Sequence, residues 1–208
     1  MAWELFVSTL ITFFVVIDPI GCAPIYAGLT AGASNVARRS MAIRAIVVSA
    51  LIIYAFAFFG SELLGGLGIS LDAFRIAGGI MLFVIALEMV FEKRTQRRED
   101  RAQKIIEQEE VEDVSVFPMA MPMIAGPGSI ASVMLLMSQH KTMEDHVAIL
   151  GAVAVILAGT LVALLAAGPI MRLLGDRIEA VITRLLGVLL SAFATQFVID
   201  GIRGSLTG

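Results

Sequence analysis

The sequence predicts an all-α membrane protein with six transmembrane helices, arranged as two inverted three-helix repeats with a broken first helix in each repeat. Three observations favour this fold: an apolar composition, six long apolar runs, and a motif pattern that recurs 108 residues later. The 208 residues are 58% hydrophobic and 16% charged, whereas soluble domains carry about 25% charged residues. Water cannot accommodate so much apolar surface, so we expect the chain to lie in a bilayer.

The apolar runs have the length of membrane spans, because about 20 helical residues cross the hydrocarbon core. They cover residues 5–29, 45–64, 74–91, 116–137, 147–170 and 180–199. Lipid offers the backbone no hydrogen-bond partner, and the runs lack the alternation of barrel strands, so all six should be helices. Residues 1–4 lack the cationic start of a signal peptide, and we expect the first run to be retained.

Basic residues predict the orientation of these spans. One side of the membrane receives twelve of them, namely Arg38, Arg39, Arg44, Lys93, Arg94, Arg97, Arg98, Arg101, Lys104, Arg172, Arg177 and Arg184. The other side receives only Arg75, Lys141 and Arg203. Because basic loops stay in the cytoplasm, both termini are predicted to be periplasmic or extracellular.

The two halves of the chain look alike. We divide it into a first repeat at 1–91, a charged cytoplasmic loop at 92–114 that should be solvated and partly helical, and a second repeat at 115–208. Each half has an odd number of spans, so the second half enters the membrane from the opposite side, as in many secondary transporters. The matching pairs are Pro19 with Pro127 and Gly60 with Gly168 at an offset of 108, and Arg75 with Arg184 and Gly78 with Gly187 at 109.

Proline and glycine interrupt the first span of each half. The first interruption comprises Asp18, Pro19, Gly21 and Pro24, and the second comprises Pro118, Pro122, Gly126, Pro127 and Gly128. Proline removes an N–H donor and clashes with the preceding turn, so each span should break near the bilayer centre. The alternative is a pair of kinks that only fit neighbouring helices.

The predicted site consists of the two half-helix N-termini that follow these breaks. Pro19 and Pro127 suit the first position of a helix, and Asp18 and Gly126 suit the cap. Exposed amides near the midplane would favour an anion such as a carboxylate. The predicted substrate-binding residues are Asp18, Pro19, Ile20, Gly21, Gly126, Pro127, Gly128 and Ser129.

Asp18 is the one acid placed deep in a span, where a charge costs at least about 2.5 kcal/mol. It either pairs with a substrate ammonium or carries a proton, or it only caps the half-helix at Pro19; both roles are compatible. A carboxylate-binding helix end beside a buried acid suits a zwitterion, hence an amino acid. Further candidate cavity-lining residues are Cys22, Pro24, Thr195 and Gln196. Thr195 and Gln196 have the alternative of joining two helices by a hydrogen bond.

Enzyme chemistry finds little support in the sequence. The two histidines, His140 and His146, lie in one loop, so no buried Ser-His pair is expected, and the single cysteine leaves no cluster for zinc. We therefore expect no catalytic residues, no metal site and no cofactor. The basic residues are spread over several loops, which argues against a nucleic-acid partner.

The Asp18-Pro19-Ile20-Gly21-x-x-Pro24 stretch, the Gly126-Pro127-Gly128 stretch, the six spans and the charged central loop together resemble the MarC family of bacterial and archaeal inner-membrane proteins. The resemblance covers essentially the whole chain. It implies transport of small neutral amino acids such as glycine and alanine, since some relatives carry them and the family is grouped with the lysine exporter superfamily. Coupling to protons or sodium, and a homo-oligomer, stay open. The alternatives are a metal-ion exporter and a non-transporting membrane stress or interaction protein.

Overall fold

A computed structural model describes residues 2–91 and 113–207, together with positions 93, 96, 97, 99, 100 and 103. All regular elements in this part of the chain are helical. They are α1 (Ala2–Ile17), α2 (Pro19–Leu29), α3 (Asn35–Gly66), α4 (Leu71–Val90), α5 (Pro127–Gln139), α6 (Met143–Leu165) and α7 (Ala167–Thr207). Ser115–Ile124, called the irregular segment below, consists of wide π-type turns interrupted by extended residues.

Five stretches are long and apolar enough to cross a membrane, and one of them joins α1 and α2. The irregular segment and α5 supply a sixth span if they are counted together, because they are bent by 52° where they meet. The structure therefore shows an all-helical membrane protein with five or six spans in its described residues. Most of the predicted loop at 92–114 lies outside the described residues; at its edges Glu88 pairs with Arg97 at 2.6 Å and Arg44 with Asp113 at 2.7 Å.

Polar side chains fix the starts of three helices. The hydroxyl oxygens of Ser34, Ser70 and Thr142 accept hydrogen bonds from the backbone N–H three residues later, at 3.2, 3.1 and 3.1 Å. Each bond satisfies one of the amides that a helix N-terminus leaves without an intrahelical partner. Ser34 and Thr142 are 108 residues apart, as are Pro19 and Pro127, which open α2 and α5.

Two of the predicted boundaries are wrong. Helix α3 begins at Asn35 rather than near residue 45, so Arg38, Arg39 and Arg44 are helical. Residues 171–179, predicted as a loop, are also helical, because the chain turns at Ala166 and α7 starts one residue later. Hydropathy marks where a helix enters lipid, whereas a charged helix can continue into water without cost.

The spans alternate in direction. A cavity at one end of the bundle is lined by Glu4 at the start of α1, His140 after α5, Asp145 at the start of α6 and Asp200 near the end of α7. We call this the N-terminal end, and the opposite end the basic end. Within the described residues, the N-terminal end carries Arg75, Lys141 and Arg203, as the sequence predicts for one side of the membrane.

Helices α4 and α7 pack closely against each other, and the contacts are reciprocal. A Cβ on Gly79 would lie 2.8 Å from the Ala194 carbonyl oxygen and 2.7 Å from Val198 Cγ2. A Cβ on Gly187 would lie 3.0 Å from the Ala86 carbonyl oxygen and 3.0 Å from Val90 Cγ2. Each residue in the first set has its counterpart in the second at an offset of 108, so the matching glycine is Gly79 rather than Gly78.

The two halves of the chain interleave. Helix α1 packs against α6 while the irregular segment packs against α3; α2 packs against α6 and α7 while α5 packs against α3 and α4. Each interrupted span thus rests on helices of the other half. The buried centre of the bundle includes Val16, Leu82, Ala86, Leu190 and Ala194.

Candidate functional site at the two helix breaks

The first break is a single residue wide. Asp18 adopts a left-handed conformation (φ 58, ψ 68) between the end of α1 and Pro19. Its backbone stays hydrogen-bonded, since its N–H donates to the Phe14 carbonyl and its carbonyl accepts from Cys22 N–H, both at 3.0 Å. Aspartate is one of the few non-glycine residues that tolerate this conformation. The 28 residues of α1 and α2 therefore form one span despite the missing proline donor.

The carboxylate of Asp18 occupies the N-terminus of α2. Its Oδ1 accepts from Gly21 N–H at 3.0 Å, and only 3% of the residue is exposed. A Cβ on Gly21 would lie 2.3 Å from Asp18 Oδ2, so only glycine lets the carboxylate reach over the helix end. The positive end of the α2 dipole is thus matched by a charge that the protein itself supplies.

The second break is wider. Phe117 and Met121 are extended inside the irregular segment, and the extended Gly126 (φ −78, ψ 176) precedes α5. No side chain caps α5. A Cβ on Gly126 would lie 2.2 Å from the Pro122 carbonyl oxygen, so no larger residue fits at the position that corresponds to Asp18. The N-terminus of α5 therefore lacks the carboxylate that α2 possesses.

Two buried serines follow this break. Ser129 occupies the position that corresponds to Gly21, and its hydroxyl donates to the Ile124 carbonyl at 2.6 Å. The hydroxyl of Ser132 is fully buried and has no hydrogen-bond partner among the described residues. Ser132 lies one turn beyond Gly128 on the same helix face, and helical side chains lean toward the N-terminus. Such a hydroxyl normally finds a partner, so its isolation needs an explanation.

The two breaks lie side by side. A Cβ on Gly128 would be 3.1 Å from Val16 Cγ1 and 2.9 Å from Ile85 Cδ1, and Val16 is two residues before Asp18. Apolar atoms of Val16, Leu82 and Ile85 fill the space in front of Gly128. The sequence could not identify these three residues, because one apolar residue in an apolar run looks like the next.

The remaining predicted residues are more scattered. Cys22 is buried and its thiol donates to the Ile17 carbonyl at 3.4 Å, and Pro24 is partly buried. Thr195 donates to the Ser191 carbonyl of its own helix at 2.8 Å. Gln196 donates to Asp200 at 2.8 Å and lines the cavity at the N-terminal end. The structure thus places Gln196 at the mouth of the bundle rather than beside the breaks.

At the basic end, side chains tie the helices together. The Tyr26 hydroxyl donates to the Arg38 carbonyl, and the Arg38 guanidinium donates to the carbonyls of Thr30 at 2.8 Å and Ala31 at 3.0 Å. Arg44 pairs with Asp113, which also accepts from Ser115 N–H at 2.9 Å. Partial burial would raise the pKa of Asp113, but the hydrogen bonds from Ser115 and the charge of Arg44 outweigh it and hold that pKa below its usual range.

Among the described residues, no three His, Cys, Asp or Glu side chains come together as a metal site.

The family model described as MarC family integral membrane protein matches residues 3–206. The chain belongs to the MarC family. UPF0056 membrane protein MJ1677 of Methanocaldococcus jannaschii is 34% identical over 99% of this chain and 100% of its own length. YvbG of Bacillus subtilis is 33% identical, covering 98% and 97%, and the inner membrane protein YhgN of Escherichia coli is 31% identical, covering 97% and 98%. No solved structure matches the MarC chain. The family and the apolar helices together make it an integral membrane protein.

Proposed function

We propose that this MarC protein is a secondary transporter of small neutral amino acids, of the glycine and alanine class, and not an enzyme. The proposal rests on one observation. Two interrupted spans of opposite direction have their breaks side by side, with a buried carboxylate at the N-terminus of α2 and no capping side chain at that of α5. Such paired half-helix ends are typical of secondary transporters.

Two inverted three-helix repeats are part of the proposal. The starts of α2 and α3 recur as the starts of α5 and α6 after 108 residues. The contacts of Gly79 with Ala194 and Val198 recur as those of Gly187 with Ala86 and Val90. Reciprocal contacts of this kind are expected where a two-fold axis relates two surfaces. Because the packed helices run in opposite directions, the axis would lie in the membrane plane.

Asp18 indicates how a substrate would bind. Its carboxylate accepts from the third N–H of α2, and the corresponding donor in α5 is the N–H of Ser129. We propose that the substrate carboxylate takes this second place and that the charge of Asp18 attracts the substrate ammonium. The hydroxyl of Ser132 would gain the partner that it lacks here. Since Val16, Leu82 and Ile85 fill the space near Gly128, the breaks must separate to admit a solute, and only a small side chain would fit.

We place the protein in the inner membrane, where its relative YhgN is named. The excess of Lys and Arg at the basic end favours the cytoplasm for that end and the periplasm for both termini. A reporter enzyme fused after Gly208 should be active in the periplasm, and cytoplasmic activity would reverse the assignment. Transport against a gradient would require coupling to protons or sodium, which imposed ion gradients would distinguish.

Uptake into proteoliposomes tests the transport function. We expect saturable accumulation of labelled glycine and alanine above that of protein-free liposomes. Excess glycine should compete, whereas glycinamide, which lacks the carboxylate, and N-acetylglycine, which lacks the ammonium, should compete at least tenfold more weakly. Equal competition by all three would contradict the binding scheme.

The other candidate functions give different results in the same assay. Flux that requires a divalent metal would support a metal-ion exporter. The absence of flux under proton, sodium and amino acid gradients would favour a membrane protein that acts through partners. No contact in the described residues specifically favours either of them.

A further inference from the structure

Two adjoining cavities open at the N-terminal end, between α1 and α7. One has a volume of about 600 Å³ and the other about 420 Å³, and both are lined by Glu4, Ser8 and Phe193. Shared lining residues make them one continuous groove, which we call the α1–α7 groove. We propose that this groove is the aqueous path by which a small solute bearing an ammonium group reaches the breaks from the N-terminal end. The inference rests on the proposed transport function.

The mouth of the groove is polar and negatively charged. It is lined by the carboxylates of Glu4, Asp145 and Asp200 and by the amides of Gln139 and Gln196. Charged groups at a membrane-spanning bundle pair or face water, because lipid cannot solvate them. Three carboxylates around one opening attract cations and favour a solute that presents an ammonium group.

The groove leads toward the breaks. Ser8, Thr12 and Val15 lie on one face of α1 and all line it, and seven residues of helix advance about 10 Å. Its floor is formed by Val15 and Leu190, each only 2% exposed. The next residue, Val16, contacts the position of Gly128. A single layer of side chains therefore separates the groove from the two breaks.

The opposite side of the breaks is closed. Between the breaks and the basic end, Cys22, Ala23, Tyr26 and Met119 are buried, and Tyr26 is tied to Arg38. The structure thus has a groove on one side of the breaks and dense packing on the other. Alternating access requires such a difference between the two sides of a binding site.

The alternative occupant of the groove is a lipid acyl chain, since much of the wall is apolar. Two neighbouring residues of α7 can distinguish the occupants. Leu189 lines the groove and Val188 does not, although their exposed fractions are 58% and 56%. If water fills the groove, a thiol at 189 meets water while a thiol at 188 meets lipid.

Because the chain has one cysteine, the test starts from a Cys22→Ser background. Leu189→Cys, Thr12→Cys and the control Val188→Cys are each reconstituted and treated with membrane-impermeant cationic or anionic thiosulfonates on both sides. We expect at least tenfold faster modification at 189 and 12 than at 188. The cationic reagent should react several-fold faster than the anionic one at 12, and Glu4→Gln with Asp200→Asn should remove that preference. The exposed positions 188 and 189 tolerate substitution if Thr12→Cys does not fold.

Modification at 189 as slow as at 188 would mean a lipid-filled groove and would overturn the proposal. Equal rates for the two reagents at position 12 would overturn the role of the charged mouth. The thiol measurement does not depend on transport. Amino acid flux without thiol access would contradict the path alone, whereas thiol access without flux would support the path and contradict the proposed transport.

Discussion

The reciprocal packing of α4 and α7 gives a quantitative prediction for three glycine-to-alanine variants. Gly79→Ala would place a Cβ 2.8 Å from the Ala194 carbonyl oxygen and 3.0 Å from Val198 N. Gly187→Ala would place one 3.0 Å from the Ala86 carbonyl oxygen and 2.9 Å from Met89 Cβ. Backbone atoms cannot turn aside as a flexible side chain can, so the two helices must separate by a few tenths of an ångström or more.

Overpacking of this kind costs about 1–3 kcal/mol. For a chain of about 200 residues, each 1 kcal/mol corresponds to roughly 2–4 °C in Tm. We therefore expect Gly79→Ala and Gly187→Ala each to lower Tm by about 2–12 °C, and by similar amounts because their contacts correspond. Gly159→Ala is the matched control, since a Cβ there meets nothing within 4 Å in the middle of α6. Its better helix propensity should raise stability by about 0.4–1 kcal/mol.

Thermal denaturation of the three purified variants in one detergent, followed by the loss of the monodisperse peak, measures these changes. If Gly79→Ala is as stable as Gly159→Ala, the close approach of the helices is wrong. If Gly79→Ala and Gly187→Ala differ by more than about 10 °C, the correspondence between the halves loses its main support.

Three further predictions concern the breaks and the basic end. Asp18→Asn keeps the oxygen that accepts from Gly21 N–H, so it should fold normally and lose at least tenfold in glycine uptake; Asp18→Ala should also lose about 0.5–2 kcal/mol of stability, typical of a lost cap. Full uptake by Asp18→Asn, with unchanged pH dependence, would leave Asp18 only its capping role. Ser132→Ala removes a buried hydroxyl without a partner, so Tm should stay or rise while the KM for glycine increases; an unchanged KM would contradict substrate contact. The lowered pKa of Asp113 means that its pairing with Arg44 is complete at neutral pH and is lost as the pH falls through that pKa. Wild type and Asp113→Asn should therefore differ slightly in Tm at pH 7 and converge in acid, and divergence in acid would refute this.

The sequence predicted the spans more reliably than it predicted the helices. Apolar runs reveal where a chain crosses lipid, and all six lie within helical or irregular segments of the structure. The charged extensions of α3 and α7 escaped prediction because their helical structure depends on hydrogen bonds and not on hydropathy. The same limit explains why the turn at Ala166 was placed too late.

The breaks themselves were visible in the sequence, but their surroundings were not. Proline and glycine have local backbone consequences, so Asp18-Pro19 and Gly126-Pro127 could be identified as caps and first helical residues. The contact between Val16 and Gly128 depends on the packing of distant spans, which no local pattern encodes. The α1–α7 groove is likewise a property of the assembled bundle, and in the sequence Ser8, Thr12 and Gln196 are isolated polar residues.

The interleaved packing of the two halves bears on how the protein is made. Since α2 rests on α6 and α7, the first three spans leave the ribosome before their main neighbours exist. Residues 1–91 alone should be prone to degradation in the membrane, and joint expression with residues 113–208 should rescue them. A newly inserted first half would therefore have to wait in the lipid, and quality-control proteases would act during that interval.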